Sequence, residues 1–171
     1  MITIVSGTNR KGSNSLKVAK SCARLLQENG EETQVFCLTE LPNDFFNRIY
    51  DGASEGYAEI IEKYIQKANK LVFVIPEYQG SYPGVLKAFL DATNPKLIED
   101  KKACLIGVAS GRGGGLRPQS HFTDVLHHLK VEVFSGQPKL SGIDKLVNDE
   151  ELIDSHTLSS LKEHFTKFMR F

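Results

Sequence analysis

Short β-branched runs alternate with amphipathic helical stretches along the whole chain. Residues Ile2–Ser6 and 33–38 read as strands, and 71–75 and 103–109 are continuous apolar runs of strand length. An apolar run without alternation suits a strand buried on both faces, so the latter two belong in the middle of a parallel sheet. Residues 131–134 read as an edge strand. Between the strands, 13–29 carries Leu16, Ala19, Cys22, Ala23 and Leu26 among charges, with Gly30 where a C-terminal cap is expected. The most regular helix signal is Tyr57, Ile60, Ile61, Tyr64, Ile65 and Ala68, at offsets 0, 3, 4, 7, 8 and 11. A short helix starts near Pro83, a residue suited to the first helical position. Another is marked by Phe122, Val125, Leu126 and Leu129. The last runs from about residue 150 to the end, with Leu158, Leu161, Phe165, Phe168 and Met169 on one stripe.

Five strands and five helices in alternation predict a doubly wound α/β fold over residues 1–171 as a single domain. The expected sheet is five-stranded, parallel and flavodoxin-like, with order 2-1-3-4-5 and helices on both faces. One stretch resists this pattern. Residues 39–56 show no period and exceed the roughly 12–15 residues at which unstructured loops become uncommon. They carry Phe45, Phe46, Ile49 and Tyr50 beside Asp44, Arg48 and Asp51. The aromatics either fold back over the second strand or form a contact between two copies of the chain and one wall above a ligand.

Composition narrows the function classes. The 21 basic and 21 acidic side chains cancel, so there is no basic excess with which to neutralise a nucleic-acid backbone. No apolar run approaches the roughly 18 residues of a spanning helix, and no membrane partner is expected. Cys22, Cys37 and Cys104 are odd in number and lie in apolar stretches, which predicts buried reduced thiols. The N-terminus has no charged region followed by a cleavage site, so a cytoplasmic protein is expected. His121, His127, His128, His156 and His164 fall on predicted helices without partners at metal spacing. They are expected to be solvated, and no metal site is predicted.

In an open α/β sheet, ligands bind outside the carboxyl ends of the strands where the strand order reverses. The loops after strands one, three and four meet there. After strand one, residues 6–15 crowd hydroxyls, amides, Arg10, Lys11 and two glycines against a helix start. The free N–H groups and positive dipole end of a helix favour an anion by about 0.3–1 kcal/mol, up to about 2 when partly buried. The loop reads as a phosphate cage; the plainer reading is a βα turn with Ser13 as N-cap. Gly7 and Gly12 have P-loop spacing, but Ser13 stands where the lysine belongs, and neither central strand ends in an aspartate for magnesium. The G-x-G-x-x-G fingerprint fails at Asn9, Arg10 and Lys11. One terminal monophosphate fits best.

After strand three, Pro76, Glu77, Tyr78, Gln79, Gly80, Ser81, Tyr82, Pro83 and Gly84 suit a rigid loop whose backbone groups face the polar edge of a flat heterocycle. An ordinary Pro-Gly turn with surface tyrosines is the alternative. After strand four, Ser110, Gly111, Arg112, Gly113, Gly114 and Gly115 read as a glycine wall that admits a ring, or as a flexible linker.

The run from Pro76 through Ser81, followed by Pro83, Gly84, Val85, Leu86, Lys87 and Asp91, resembles the signature of the NADPH-dependent FMN reductase family, which includes quinone, azo-dye and chromate reductases. The first loop is similar to that family's G-S-x-R-x-x-S-x-N phosphate loop. The likeness extends to about His128. It implies a flavodoxin-like fold, noncovalent FMN, NADPH or NADH as reductant, and a homodimer or homotetramer with the flavin near a subunit interface. By this resemblance Thr8, Arg10, Ser13, Asn14 and Ser15 surround the phosphate. Pro76, Glu77, Tyr78, Gln79 and Gly80 meet the isoalloxazine, and Ser110, Gly111, Arg112 and Gly113 flank its other side. Thr8 replaces the family's serine, Ser15 its asparagine and Gln79 another asparagine, and the segment after Lys87 loses an amide and a tryptophan.

In such enzymes the flavin accepts hydride at N5 from the nicotinamide and passes electrons to a small-molecule acceptor such as a quinone, azo compound or free flavin. The protein then needs no catalytic acid, base or nucleophile of its own. Arg112 would favour negative charge on the reduced ring, and Arg112, Arg117 or Lys11 are candidates to meet a 2′-phosphate. The alternative is a non-enzymatic flavodoxin-like electron carrier. Such carriers are usually strongly acidic, whereas this chain is neutral.

Overall fold

The fold comes from a computed structural model that describes residues 1–50 and 56–171. Residues 51–55, including Asp51 of the irregular stretch, lie outside the described part. The strands are β1 (Ile2–Ser6), β2 (Thr33–Cys37), β3 (Lys70–Pro76), β4 (Lys102–Ala109), β5 (Glu132–Val133) and β6 (Lys139–Ser141). The helices are α1 (Asn14–Glu28), α2 (Tyr57–Ile61), α3 (Gly84–Ala92), α4 (Leu116–His128) and α5 (Ser155–Arg170). The sheet has the order β2-β1-β3-β4-β5 with every described pairing parallel, as the flavodoxin-like pattern predicts.

Side-chain alternation divides the core into two layers. Leu71, Phe73 and Ile75 of β3 enter the layer that holds Phe36, Ile65, Phe89 and Phe122. Val72 and Val74 enter the opposite layer with Ile4, Leu26, Cys104, Ile106, Phe165 and Phe168. This is why the central strands read as unbroken apolar runs: successive residues face opposite sides, and both sides are covered by helices. Thus α1 and α5 cover one face, and α2, α3 and α4 the other.

Several elements differ from the sequence reading. The edge strand expected over 131–134 is only the two residues of β5, and a sixth strand, β6, was not expected. β5 pairs with Lys102 and Ala103, while β6 pairs with Gly107, Val108 and Ala109. Two short pieces therefore share one edge of β4. In the gap between them the Gln119 side chain donates from Nε2 to the carbonyls of Leu105 (3.2 Å) and Pro138 (2.9 Å). The regular helix expected over 57–68 is α-helical only to Ile61 and continues as a π-helical turn, Glu62–Gln66. Pro83 is extended and caps α3 instead of starting it. α5 starts at Ser155, five residues later than expected, because Asn148 Oδ1 accepts from the N–H groups of Glu150 and Glu151 and so bends that segment into a turn. Asp154 then caps the helix through the Thr157 N–H at 2.8 Å.

All three cysteines are free and buried. His164 corrects the expectation that every histidine is solvated: it is half-buried, with Nε2 3.1 Å from Cys104 Sγ. Burial lowers its pKa and raises that of the Cys104 thiol, so both are held neutral. Among residues 39–50, Phe45 is buried against Tyr57, whereas Phe46 and Tyr50 are 56% and 86% exposed. No helix among the described residues is long and apolar enough to cross a membrane.

Candidate functional site

The loops after β1, β3 and β4 converge as the switch-point argument requires. After β1, Ser13 is the N-cap of α1, and its Oγ accepts from the Leu16 N–H at 3.3 Å, leaving its own hydrogen free to donate. The N–H groups of Asn14 and Ser15 begin the helix and have no intrahelical acceptor. The Ser15 hydroxyl is buried with no hydrogen-bond partner, an unusual cost unless a ligand satisfies it. Thr8 sits behind this surface, fully buried, with Oγ1 2.9 Å from the Tyr78 hydroxyl and accepting from the Arg10 N–H at 3.3 Å. It thereby ties the first loop to the second.

The second loop is a tight hairpin. Tyr78 and Ser81 exchange two backbone hydrogen bonds, 2.8 and 3.1 Å long, across Gln79 and Gly80. Both central residues have positive φ, +52° at Gln79 and +78° at Gly80. That is the geometry of a two-residue turn that favours asparagine and glycine. Ser81 Oγ lies 2.9 Å from His121 Nδ1, joining the turn to α4.

The glycine run after β4 does two jobs. Gly111 and Gly113 are exposed and line a groove, whereas Gly114 and Gly115 are buried and packed back on the sheet. A Cβ on Gly115 would lie 2.9 Å from the Gly107 Cα. Only the first half of the run is available to admit a ring.

Two contiguous cavities result. The first, about 340 Å³, is lined by Arg10, Gly12, Ser13, Asn14, Ser15, Pro76, Glu77, Tyr78, Val108, Ala109, Ser110, Ile143 and Asp144. The second, about 630 Å³, shares Glu77, Ala109 and Ser110 and adds Gln79, Gly80, Gly111, Gly113, Leu116 and Arg117. Of the residues named from sequence, Thr8 lies behind the first cavity and Arg112, though exposed, lines neither. Asp144 was missed as a site residue, and Arg117, expected only as a candidate for a 2′-phosphate, lines the second cavity. Arg117 lies two residues after the glycine run and was legible from its place there; Asp144 depends on β6, which was not. A separate groove of about 560 Å³ lies along the outer face of α1, but its walls are Lys17, Lys20 and Arg24 against Asp149, Glu150 and Glu151, and Arg24 already pairs with Glu151 at 3.0 Å.

The first cavity suits one phosphate: a helix start, the Ser13 and unsatisfied Ser15 hydroxyls, and the Arg10 guanidinium surround a space at the end of a strand. Among the described residues no cluster of histidine, cysteine or carboxylate side chains could hold a metal. A doubly wound sheet with its polar cavity at the reversal of strand order defines a flavodoxin-like protein. Sequence comparison is more specific. The chain belongs to the NADPH-dependent FMN reductase family, whose model matches residues 1–143. FMN is therefore the cofactor and NAD(P)H the reductant, and the chain is an oxidoreductase. It is 29% identical to a quinone reductase of Escherichia coli over 99% of this chain and 94% of that one. A 2-hydroxy-1,4-benzoquinone reductase of a Burkholderia species is 30% identical over 83% of this chain and 84% of its own. In fold it resembles the NAD(P)H:(acceptor) oxidoreductase FerB of Paracoccus denitrificans, with a TM-score of 0.78 and 22% identity over 98% of this chain and 93% of that one.

Proposed function

We propose that the chain is a cytoplasmic, FMN-dependent NAD(P)H reductase of small acceptors such as quinones, azo compounds or free flavin, acting as a homodimer or homotetramer with residues 1–171 as one FMN-binding domain. The relatives' names support the acceptor class. FMN, when bound, supplies the two-electron chemistry, accepting hydride from the nicotinamide at N5 and passing electrons on. The chain's own residues bind and orient. Arg10, Ser13, Asn14, Ser15 and the first N–H groups of α1 hold the phosphate. Pro76, Glu77, Tyr78, Gln79 and Gly80 present the second loop to the ring, with the Thr8–Tyr78 contact fixing the distance between the two loops. Ser110, Gly111 and Gly113 flank the opposite side, and Arg112 stands at its rim. The second cavity, with Leu116 and Arg117, receives the donor or acceptor.

The observation that carries this reading is the buried, unpartnered Ser15 hydroxyl in a cavity shared with Arg10 and Ser13. Changing Arg10 and Ser13 together to alanine is expected to weaken FMN at least about 30-fold, since each hydrogen bond to a charged group contributes roughly 1.5–3 kcal/mol. Riboflavin, which lacks the phosphate, is expected to change little. Equal losses for both ligands, measured by fluorescence titration, would remove the phosphate assignment.

A further inference from the structure

The phosphate cavity contains a charge that opposes its ligand. Its lining carries one guanidinium, Arg10, against two carboxylates, Glu77 and Asp144. Asp144 lies in the 3₁₀ turn Ile143–Lys145, immediately after the residues that the family model matches. The turn is fixed on both sides: Ile143 is buried in the core layer with Val18 and Leu26, and β6 is paired to the last residues of β4. Asp144 Oδ1 accepts from Asn14 Nδ2 at 2.8 Å, and Asn14 is the first residue of α1. Oδ2 has no hydrogen-bond or ion-pair partner among the described residues, and the side chain is exposed in the cavity lining beside the anion-binding end of the helix.

We infer that Asp144 limits FMN affinity: its carboxylate repels the phosphate and keeps the cofactor exchangeable. The inference rests on the FMN reading above and deepens it, because a flavin that is released as well as held suits an enzyme whose acceptor is free flavin. A purely positioning role would act in the opposite direction, since a carboxylate that only aimed the Asn14 amide at the phosphate would strengthen binding.

Asp144→Asn separates the two, because the new amide oxygen still accepts from Asn14 while the charge is gone. Equilibrium dialysis of the full-length FMN-loaded protein and the variant, at one salt concentration, measures both flavins. For FMN the variant is expected to bind about 3- to 30-fold tighter, the range for one like charge several ångströms away in a solvated cleft. Riboflavin affinity stays within about twofold, and this also reports that the site is folded. Unchanged or weaker FMN binding overturns the inference, as does equal tightening of both flavins. Absence of FMN binding in wild type and variant alike overturns the cofactor reading with it, and that result is distinct from the other two.

Discussion

Gln79 is held at φ +52°, a conformation that costs an ordinary L-residue roughly 1–2 kcal/mol and that asparagine and glycine adopt more easily. The asparagine of the family pattern that Gln79 replaces thus suits this backbone shape. Gly80 next to it has φ +78°, with the Arg117 guanidinium 3.7 Å from where its Cβ would be. A Gly80→Val variant must abandon this turn, so FMN affinity is expected to drop at least about tenfold while the melting temperature falls by only a few degrees. Normal flavin binding by the variant would make the turn irrelevant to the site. His164 gives a pH dependence of stability. Burial lowers its folded pKa, so its contribution is complete above the unfolded value of about 6.5 and is lost as pH falls through the folded value. Urea midpoints are expected to decline between pH 7 and pH 5, and less steeply in His164→Gln. Identical slopes would assign the decline to other groups.

At the scale of elements, the central strands and the capped turn after β1 were legible because local signals and burial agree. β3 and β4 are covered on both faces, which leaves an apolar run that nothing else in the chain imitates. Ser13 is a cap by composition and a cap in the fold. β6 was hidden because three residues flanked by Pro138 and Gly142 carry no period; only pairing with β4 makes them a strand. The same holds for Asp144, whose role depends on that pairing. Gln119 is the joint: it satisfies the Leu105 carbonyl where neither β5 nor β6 reaches, and adds a second donor to the Pro138 carbonyl, which already accepts from the Gly107 N–H at 2.9 Å. Gln119→Leu would orphan the Leu105 carbonyl, at a cost of about 1–3 kcal/mol, while that of Pro138 keeps the Gly107 N–H. Stability by chemical denaturation is expected to fall by about 1–3 kcal/mol. A loss below about 1 kcal/mol would show that water replaces the side chain easily.

At the scale of the whole molecule, the proposed contact between copies has a narrower candidate surface than the sequence suggested. Phe45 belongs to the chain's own core and would unfold it if made polar, whereas Phe46 and Tyr50 are exposed. Replacing Phe46 and Tyr50 by serine is expected to lower the mass seen by light scattering and to alter acceptor preference, with the melting temperature of the subunit nearly unchanged. A variant that keeps both its mass and its substrate profile would leave these aromatics as lone surface residues.

The divided glycine run sets how this enzyme can change. Gly114 and Gly115 are locked against Gly107 and Lys139, so any side chain there pushes the start of α4 off the sheet. Gly111 meets no atom within 4 Å of where its Cβ would be, and Gly113 meets only the Glu77 carboxylate at 4.0 Å. Mutational drift or directed evolution can therefore decorate the groove wall at 111–113 and retune which acceptor enters, while the adjoining pair stays fixed as the hinge pin of the wall.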